Sequence, residues 1–272
     1  MSIAYRRSYG RMYEQICCQD HKTDDEYGAM YKSHPENIVG KYSWLEGLDV
    51  KRHLDKVHGA TSGDMYFYKK PYNSSEVWGF LEEGPFDSAE ALRKSFVFQH
   101  KENQAAFAIF NSVTLRLLGV IMLRNDDPEN LSIQLDPPIM APSSDEGKEQ
   151  LESCFLILDR LFANGYRRVQ ISIDEKDGKS RKLADRLGFT FEGCLLKDQI
   201  IKEASRDSNV YGMLNSDWDK GARKALMRKL YGASTAQADE AYNKKEEELD
   251  EQQRVLAEQK QEEAAKVDKK NA

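Results

Sequence analysis

A change of period in the middle of the chain constrains its fold more than any other feature. Between residues 105 and 135, short apolar runs alternate with turn residues. "AAFAIF" (Ala105 to Phe110), "LLGVIML" (Leu117 to Leu123) and "LSIQL" (Leu131 to Leu135) read as three strands, with "NDDPEN" (Asn125 to Asn130) a clear turn before the third. Strands joined this closely form an antiparallel meander. The spacing then switches: Leu151, Cys154, Phe155, Leu158, Leu161 and Phe162 recur as one buried helix face, and Asn164-Gly165 ends it. "RVQISI" (Arg168 to Ile173) is the next strand. A strand, a long helix and a strand require a crossover, so one parallel pair is expected inside an otherwise antiparallel sheet.

The flanks extend this pattern. Asp87 with Glu90 reads as a capping-box-like helix start, followed by Leu92, Phe96 and Val97 at helical spacing. A short helix, Ser180 to Leu187, is capped by Gly188, and "FTFEG" (Phe189 to Gly193) and "NVYGML" (Asn209 to Leu214) are further strands. Earlier, Val50 to Val57 is helical in pattern and Met65 to Tyr68 strand-like. The expected class is α/β of the α+β type, a mixed, mostly antiparallel sheet flanked by helices. Residues 1–40 are polar and tyrosine-rich with no sustained period and read as an N-terminal extension, residues 41–231 as one domain, and residues 232–272 as a charged helical tail. In the tail Tyr242, Leu249 and Leu256 are spaced by seven without a second apolar row. A coiled coil needs both rows, so a solvated charged helix is expected, with a partner-binding coil as the alternative.

Composition removes several function classes. With 40 Lys and Arg against 46 Asp and Glu, the net charge is −6, which argues against nucleic-acid binding driven by bulk charge. Cys17 and Cys18 are adjacent, and Cys154 and Cys194 lie in or beside apolar segments; this spacing suits neither a zinc site nor a disulfide framework. No metal is expected, and reduced thiols point to a cytoplasmic protein. No apolar run approaches the ~18 residues of a membrane span. Arg6, Arg7 and Arg11 precede no apolar signal core, so the start reads as a loosely docked lead.

Five segments carry a resemblance to a known family: "GPF" (Gly84 to Phe86), "LLGVIML", "GYRRVQ" (Gly165 to Gln170), "DGKSRKLADRLGFTFEG" (Asp177 to Gly193) and "SRDSNVYGMLNSDW" (Ser205 to Trp218). Over about residues 75–231 the chain resembles the GNAT acetyltransferases, and within them the RimJ/RimL-like branch. The resemblance implies the GNAT acyltransferase fold and direct transfer of an acetyl group from acetyl-CoA to an amine, a small molecule or a protein N-terminus. The chemistry needs a proton acceptor for the amine, a backbone N–H on the thioester oxygen and a helix N-terminus for the pyrophosphate.

The resemblance also implies a site. It sets the pantetheine arm against Pro138, Ile139 and Met140, where the third meander strand and Arg168 to Ile173 splay apart. It sets the pyrophosphate at Gly147, Lys148 and Glu149, although Asp145 and Glu146 bring negative charge to that helix start. It brings Asp177, Ser180 and Arg181 to the cofactor at the next helix start, Ser180 within reach of the leaving thiolate or acting as a plain N-cap. Gln134 stands where the branch often carries a glutamate base; an amide can orient water but takes no proton at neutral pH, so either Asp136 substitutes or an ordered water chain serves. Tyr211 could protonate the thiolate or simply pack in the sheet. Arg206 and Asp207 read as an ion pair or loop organiser, and Trp44, Trp78, Phe80 and Glu82 as acceptor walls. The expected function is an N-acetyltransferase; the alternative, favoured by the acidic loop and Gln134, is a degenerate GNAT-fold protein that binds CoA or acts as a scaffold, with the tail as the place for a protein partner.

Overall fold

A computed structural model describes residues 37–63, 72–99, 103–142 and 147–232. The strand-like reading of Met65 to Tyr68, the acidic pair Asp145 and Glu146, Cys17, Cys18 and the tail beyond residue 232 lie outside them. The chain divides into two compact units, Met1–Leu226 and Met227–Ala272; the sheet and its cleft belong to the first.

Nine strands form one sheet: β1 Ile38–Val39, β2 Ser43–Gly47, β3 Ala105–Asn111, β4 Leu117–Asp127, β5 Ser132–Leu135, β6 Ile139–Met140, β7 Arg168–Asp174, β8 Thr190–Ile201 and β9 Ala204–Leu214. Their order is β1-β2-β3-β4-β5-β7-β9-β8, with β6 also on β4. All pairs are antiparallel except β5 with β7, joined through the helix α4 described below, as a crossover demands. The strand period is visible in β7, where Val169, Ile171 and Ile173 are buried and Gln170 and Ser172 only partly so.

On one face lie α1 (Val50–Thr61), α2 (Ser75–Trp78) and α3 (Ala89–Arg93). Their apolar sides close over β3, β4 and β6 around Val57, Trp78, Leu92, Phe110, Val120 and Met122. Burying a side chain the size of Leu92 stabilises by about 1.5–3 kcal/mol. The Trp78 Nε1 donates to Thr61 O at 3.0 Å, so the indole is buried without an orphaned donor. The start of α3 is capped by Ser88, whose hydroxyl accepts from the Ala91 N–H, not by the expected Asp87.

Two further helices are α4 (Lys148–Ala163) and α5 (Gly178–Leu187). The predicted apolar stripe of α4 is buried apart from the half-buried Phe162, but so are Glu149 and Glu152 on the same helix. The Glu152 carboxylate accepts from three successive backbone N–H groups, Lys41 (2.9 Å), Tyr42 (2.7 Å) and Ser43 (2.6 Å), and from the Ser43 hydroxyl. This ties the β1–β2 turn to α4. Gly40 is required there, since a Cβ would come within 2.5 Å of that carboxylate. The β1–β2 pair was not expected from sequence, because the short, polar-flanked segment has no sustained alternation. The hairpin β8–β9 is longer than expected because its alternation is broken by register shifts at Phe191/Gly193 and Leu195/Gln199, and Lys202 and Glu203 turn it with positive φ without the Asn-Gly that usually marks such a turn. Among the described residues, no helix is long and apolar enough to cross a membrane.

Candidate active site

The sheet opens at its parallel pair. β5 and β7 pair only through Ser132–Arg168, Ile133–Val169 and Gln134–Gln170. Beyond that point β7 stays with β9 as far as Asp174–Ser208, whereas the chain after β5 follows β4. Pro137 and Pro138 cause the parting: neither can donate a ladder bond. The Asp136 N–H donates to Met122 O at 2.9 Å, and Ile139 then pairs with Val120, so an extra residue is inserted on the β5–β6 side. Such a bulge bends its strand away from the neighbour. Gly119 lets β6 press close to β4; a Cβ there would lie 2.2 Å from Ile139 O. The Ala141 N–H donates to Leu118 O on β4, so the alternate residue, Met140, directs its amide and carbonyl away from β4 and into the opening.

A cleft of about 690 Å³ occupies this opening. Its floor is the sheet, with Arg124, Gln134, Asp136, Ser172, Asp174 and Arg206 pointing to one face. Its roof comes from α2 and the following segments through Val77, Phe80, Leu81 and Phe96. Of the acceptor walls expected from sequence, Phe80 and Glu82 line the cleft. Trp44 and Trp78 do not: Trp44 stacks on Phe110 at 4.2 Å, and Trp78 is buried against Phe86.

Gln134 and Asp136 meet in this floor. The Gln134 Nε2 donates to Asp136 Oδ1 at 2.8 Å, and its Oε1 accepts from Asn125 Nδ2 at 3.0 Å. The Asp136 Oδ2 pairs with Arg124, whose guanidinium also reaches Glu82 at 3.4 Å. Burial pushes the Asp136 carboxyl above its ordinary range, although Arg124 and Gln134 oppose the shift.

The cofactor-facing residues divide. Pro138, Ile139, Met140, Asp177 and Ser180 line the cleft; Gly147, Lys148, Glu149, Arg181 and Tyr211 are not in its wall. Gly147 is the N-cap of α4 in the left-handed conformation, Lys148 lies over the Tyr42 ring, and Glu149 turns inward to accept from Asn111 Nδ2 at 3.2 Å. The N-cap of α5 is Asp177, not Ser180. The Asp177 carboxylate accepts from the Lys179 N–H (3.1 Å), the Ser180 N–H (3.0 Å) and the Ser180 hydroxyl (2.6 Å). It therefore fills the anion-binding position of that helix and holds the Ser180 hydroxyl away from a thiolate role. Tyr211 faces the opposite side of the sheet. It pairs across from Ile171 instead of Ser172, so strand alternation directs it away from the cleft, where its ring packs edge-on with Phe191. Burial and the Asp185 charge push its phenol up, and Arg181, on that same side, pulls it down. Sequence reasoning passed over Arg124, Ser172, Asp174 and Ser208. The available signal was parity, since each falls on the cleft side of its strand.

Acetyl-CoA passes one fit test and fails another. The inward Met140 amide and the widening between β6 and β7 suit an amide-bearing arm, and Gln150 in the first turn of α4 lines the same cleft. The start of α5, filled by its own carboxylate, does not suit a phosphate.

A mixed sheet split between two parallel strands, with a bulged strand directing a backbone amide into the split, defines an acyltransferase type of fold. More narrowly, it is the GNAT acetyltransferase fold. A probable GNAT-family acetyltransferase from Chromobacterium violaceum is similar at 26% identity and a TM-score of 0.59, covering 67% of this chain and 88% of its own. The RimL ribosomal L7/L12 alpha-N-protein acetyltransferase shares the fold at 19% identity and a TM-score of 0.54, covering 66% and 94%. Spermidine N-acetyltransferase from Vibrio cholerae, solved with CoA and spermine, does so at 17% identity and a TM-score of 0.51, covering 66% and 99%. No protein-family model matches the sequence, and no curated protein matches it.

Proposed function

We propose that this chain is an acetyl-CoA-dependent N-acetyltransferase that acts on a primary amine, small or at a protein N-terminus, by direct attack. The observation that carries the reading is the bulged β5–β6 edge, which sets the Met140 amide and the Asp136 carboxylate in one cleft. When bound, acetyl-CoA supplies an acetyl group already activated as a thioester. Pro138, Ile139 and Met140 would hold its arm, with the Met140 N–H as the donor to a carbonyl oxygen. Gly147, Lys148 and Gln150 at the start of α4 would serve its phosphates.

Asp136 is the proton acceptor in this reading, taking the role that the neutral Gln134 cannot. Gln134 donates to Asp136 Oδ1 and so fixes the carboxylate, whose second Oδ1 lone pair is left to take the acceptor's proton, directly or through water. A carboxyl held above its ordinary range by burial is a better base than an exposed one. The enclosed apolar roof, Val77, Phe80 and Leu81, limits water around the reacting amine. The domain responsible spans residues 41–231, and the 232–272 tail is available to a protein partner. Reduced thiols and the cofactor fit a cytoplasmic setting.

Calorimetric titration with acetyl-CoA, with free CoA as control, tests the reading. Micromolar binding, about −8 kcal/mol, is expected, followed by CoA release in the presence of amines. Absence of heat at millimolar ligand would replace the enzyme with the non-catalytic scaffold.

A further inference from the structure

The cleft holds a second pair of charges, on the side away from Asp136. Asp174 ends β7 and Arg206 lies on β9; both line the cleft. The Asp174 side chain is 3% exposed and that of Arg206 18%. The Arg206 Nε stands 3.7 Å from Asp174 Oδ2, too far for a hydrogen bond, and neither atom has a hydrogen-bond partner among the described residues. A pair that served only to tie β7 to β9 would close to contact, because buried polar atoms left unpaired are costly. This one is held open beside an empty volume. Asp174 Oδ1 accepts from the Lys176 N–H, which fixes the carboxylate from behind. Lys202, next to cleft-lining Ile201, donates to Trp78 O at 2.7 Å and brings a second positive charge to this side. Burial and the neighbouring Arg206 charge hold its ammonium below the usual range, so the two cations share one field.

The cleft is thus polarised along its length. At the Asp136 end two carboxylates, Asp136 and Glu82, face one guanidinium, Arg124, leaving net negative charge. At the Asp174 end Arg206 faces one carboxylate with the Lys202 charge near it, and among the other lining groups Lys176, Lys179 and Lys182 outnumber Glu76 and Asp177, leaving net positive charge. By register Asp136 lies level with Ser172, and Arg206 lies two strands away and four residues further along, so their backbones are on the order of 16 Å apart. That is about four to five residues of extended peptide.

We infer that the acceptor is an amine carrying an anionic group four to five residues' length away, an acidic peptide N-terminus, with Arg206 as the residue that selects it. The inference rests on the transferase reading of the same cleft. In the complex the acceptor's carboxylate takes the open Arg206 Nε–H, and the amine lies at Asp136. A polycationic acceptor would set a positive charge against Arg206 and Lys202.

The test uses the full chain and reads acceptor binding apart from transfer. Ser-Ala-Ala-Asp-Asp-Ala and Ser-Ala-Ala-Lys-Lys-Ala peptides, each with a free N-terminus, an amidated C-terminus and a C-terminal fluorophore, are titrated by anisotropy, and spermidine competes. The expected result is tighter binding of the acidic peptide, loss of about tenfold in affinity for it in Arg206→Gln, and reversed peptide preference in Arg206→Glu. Acetyl-CoA affinity is unchanged in Arg206→Gln. Equal binding of the two peptides, displacement of the acidic peptide by spermidine, or an Arg206→Gln effect on acetyl-CoA in place of the peptide would overturn the inference; the last would make Arg206 a cofactor phosphate ligand. CoA release on the same peptides judges the transferase reading separately, since selective binding without turnover leaves the selection intact and removes the enzyme. Circular dichroism and melting of each variant identify any that misfold, and Arg206→Lys, which keeps the charge, should retain the acidic preference.

Discussion

Two buried carboxylates set the two halves of this molecule apart. Glu152, on the closed side under β1 and β2, accepts from three successive backbone N–H groups and a hydroxyl. Asp174, at the cleft, is nearly as buried but leaves one oxygen without a hydrogen bond, facing a cation across 3.7 Å. Burial alone therefore does not separate structure from site; completeness of the hydrogen bonding does. Where every acceptor is filled, the group holds the fold. Where one is left open beside a cavity, the fold has deferred the bond to something that arrives.

The contrast can be broken most forcefully at Glu152. Glu152→Ala should destabilise the protein by about 3–5 kcal/mol, because three backbone N–H groups, that of Ser43 buried and the other two part-buried, lose their partner. Denaturant melts read this, and a loss below 1 kcal/mol would mean that the nest is solvated. Asp136→Asn tests the open side. It should lower kcat by about 10²–10³-fold and, because Arg124 loses its charged partner, lower the melting temperature by less than Glu152→Ala does. Because burial raises the Asp136 carboxyl, the acid limb of the rate profile should lie above the ordinary carboxylate range, with activity rising as pH rises through it. That limb should vanish in Asp136→Asn.

Asp126 sharpens the comparison, since it is half-satisfied yet far from the cleft's chemistry. Its Oδ1 accepts from Tyr166 Oη at 2.7 Å, its Oδ2 has no hydrogen-bond partner among the described residues, and burial raises its pKa from 3.8 to about 6. A carboxyl raised on folding adds stability below pH 3.8 that is lost as pH climbs towards 6, so it is a liability at neutral pH. Asp126→Asn should gain about 1–2 kcal/mol at pH 7, the full linkage value being discounted for solvent screening at a half-buried position. The gain should fade below pH 4. Smallest of all is the exposed Lys179–Glu76 bridge, 2.9 Å across the cleft mouth. Glu76→Gln should leave the melting temperature unchanged and alter only the salt dependence of ligand binding.

Much of the frame was legible from pattern alone. The meander, the α4 stripe, the parallel pair and the Gly188 cap all follow from local periodicity and turn chemistry. The split beside Pro137 and Pro138 was implied only by the resemblance; the prolines by themselves fitted an ordinary loop equally well. Errors cluster where a role depends on which way a side chain faces. Tyr211 sits in a motif that resembles a catalytic one, but its partner across the sheet is Ile171, and one residue of register decides the face. Ser180 was expected at the cap of α5, but Asp177 competes for the same N–H groups and, as a carboxylate, wins. Glu149 was read as a cofactor neighbour because it opens a helix; the inward turn of α4 gives it to Asn111 instead.

By itself, then, the sequence determined what short-range physics can determine: the period of each element, its ends, and the kind of sheet that a strand, a long helix and a strand must make. The tertiary structure alone decided the meeting of residues distant in the chain. Arg124, Asp174 and Arg206 lie on three strands and Asp136 just past the end of a fourth, and no local rule relates them. Only the stacking of β4, β5, β7 and β9 in that order brings them to one floor, and only the bulge beside β6 leaves that floor open. The reason is that charge interactions depend on distance and burial, and both are properties of the assembled sheet.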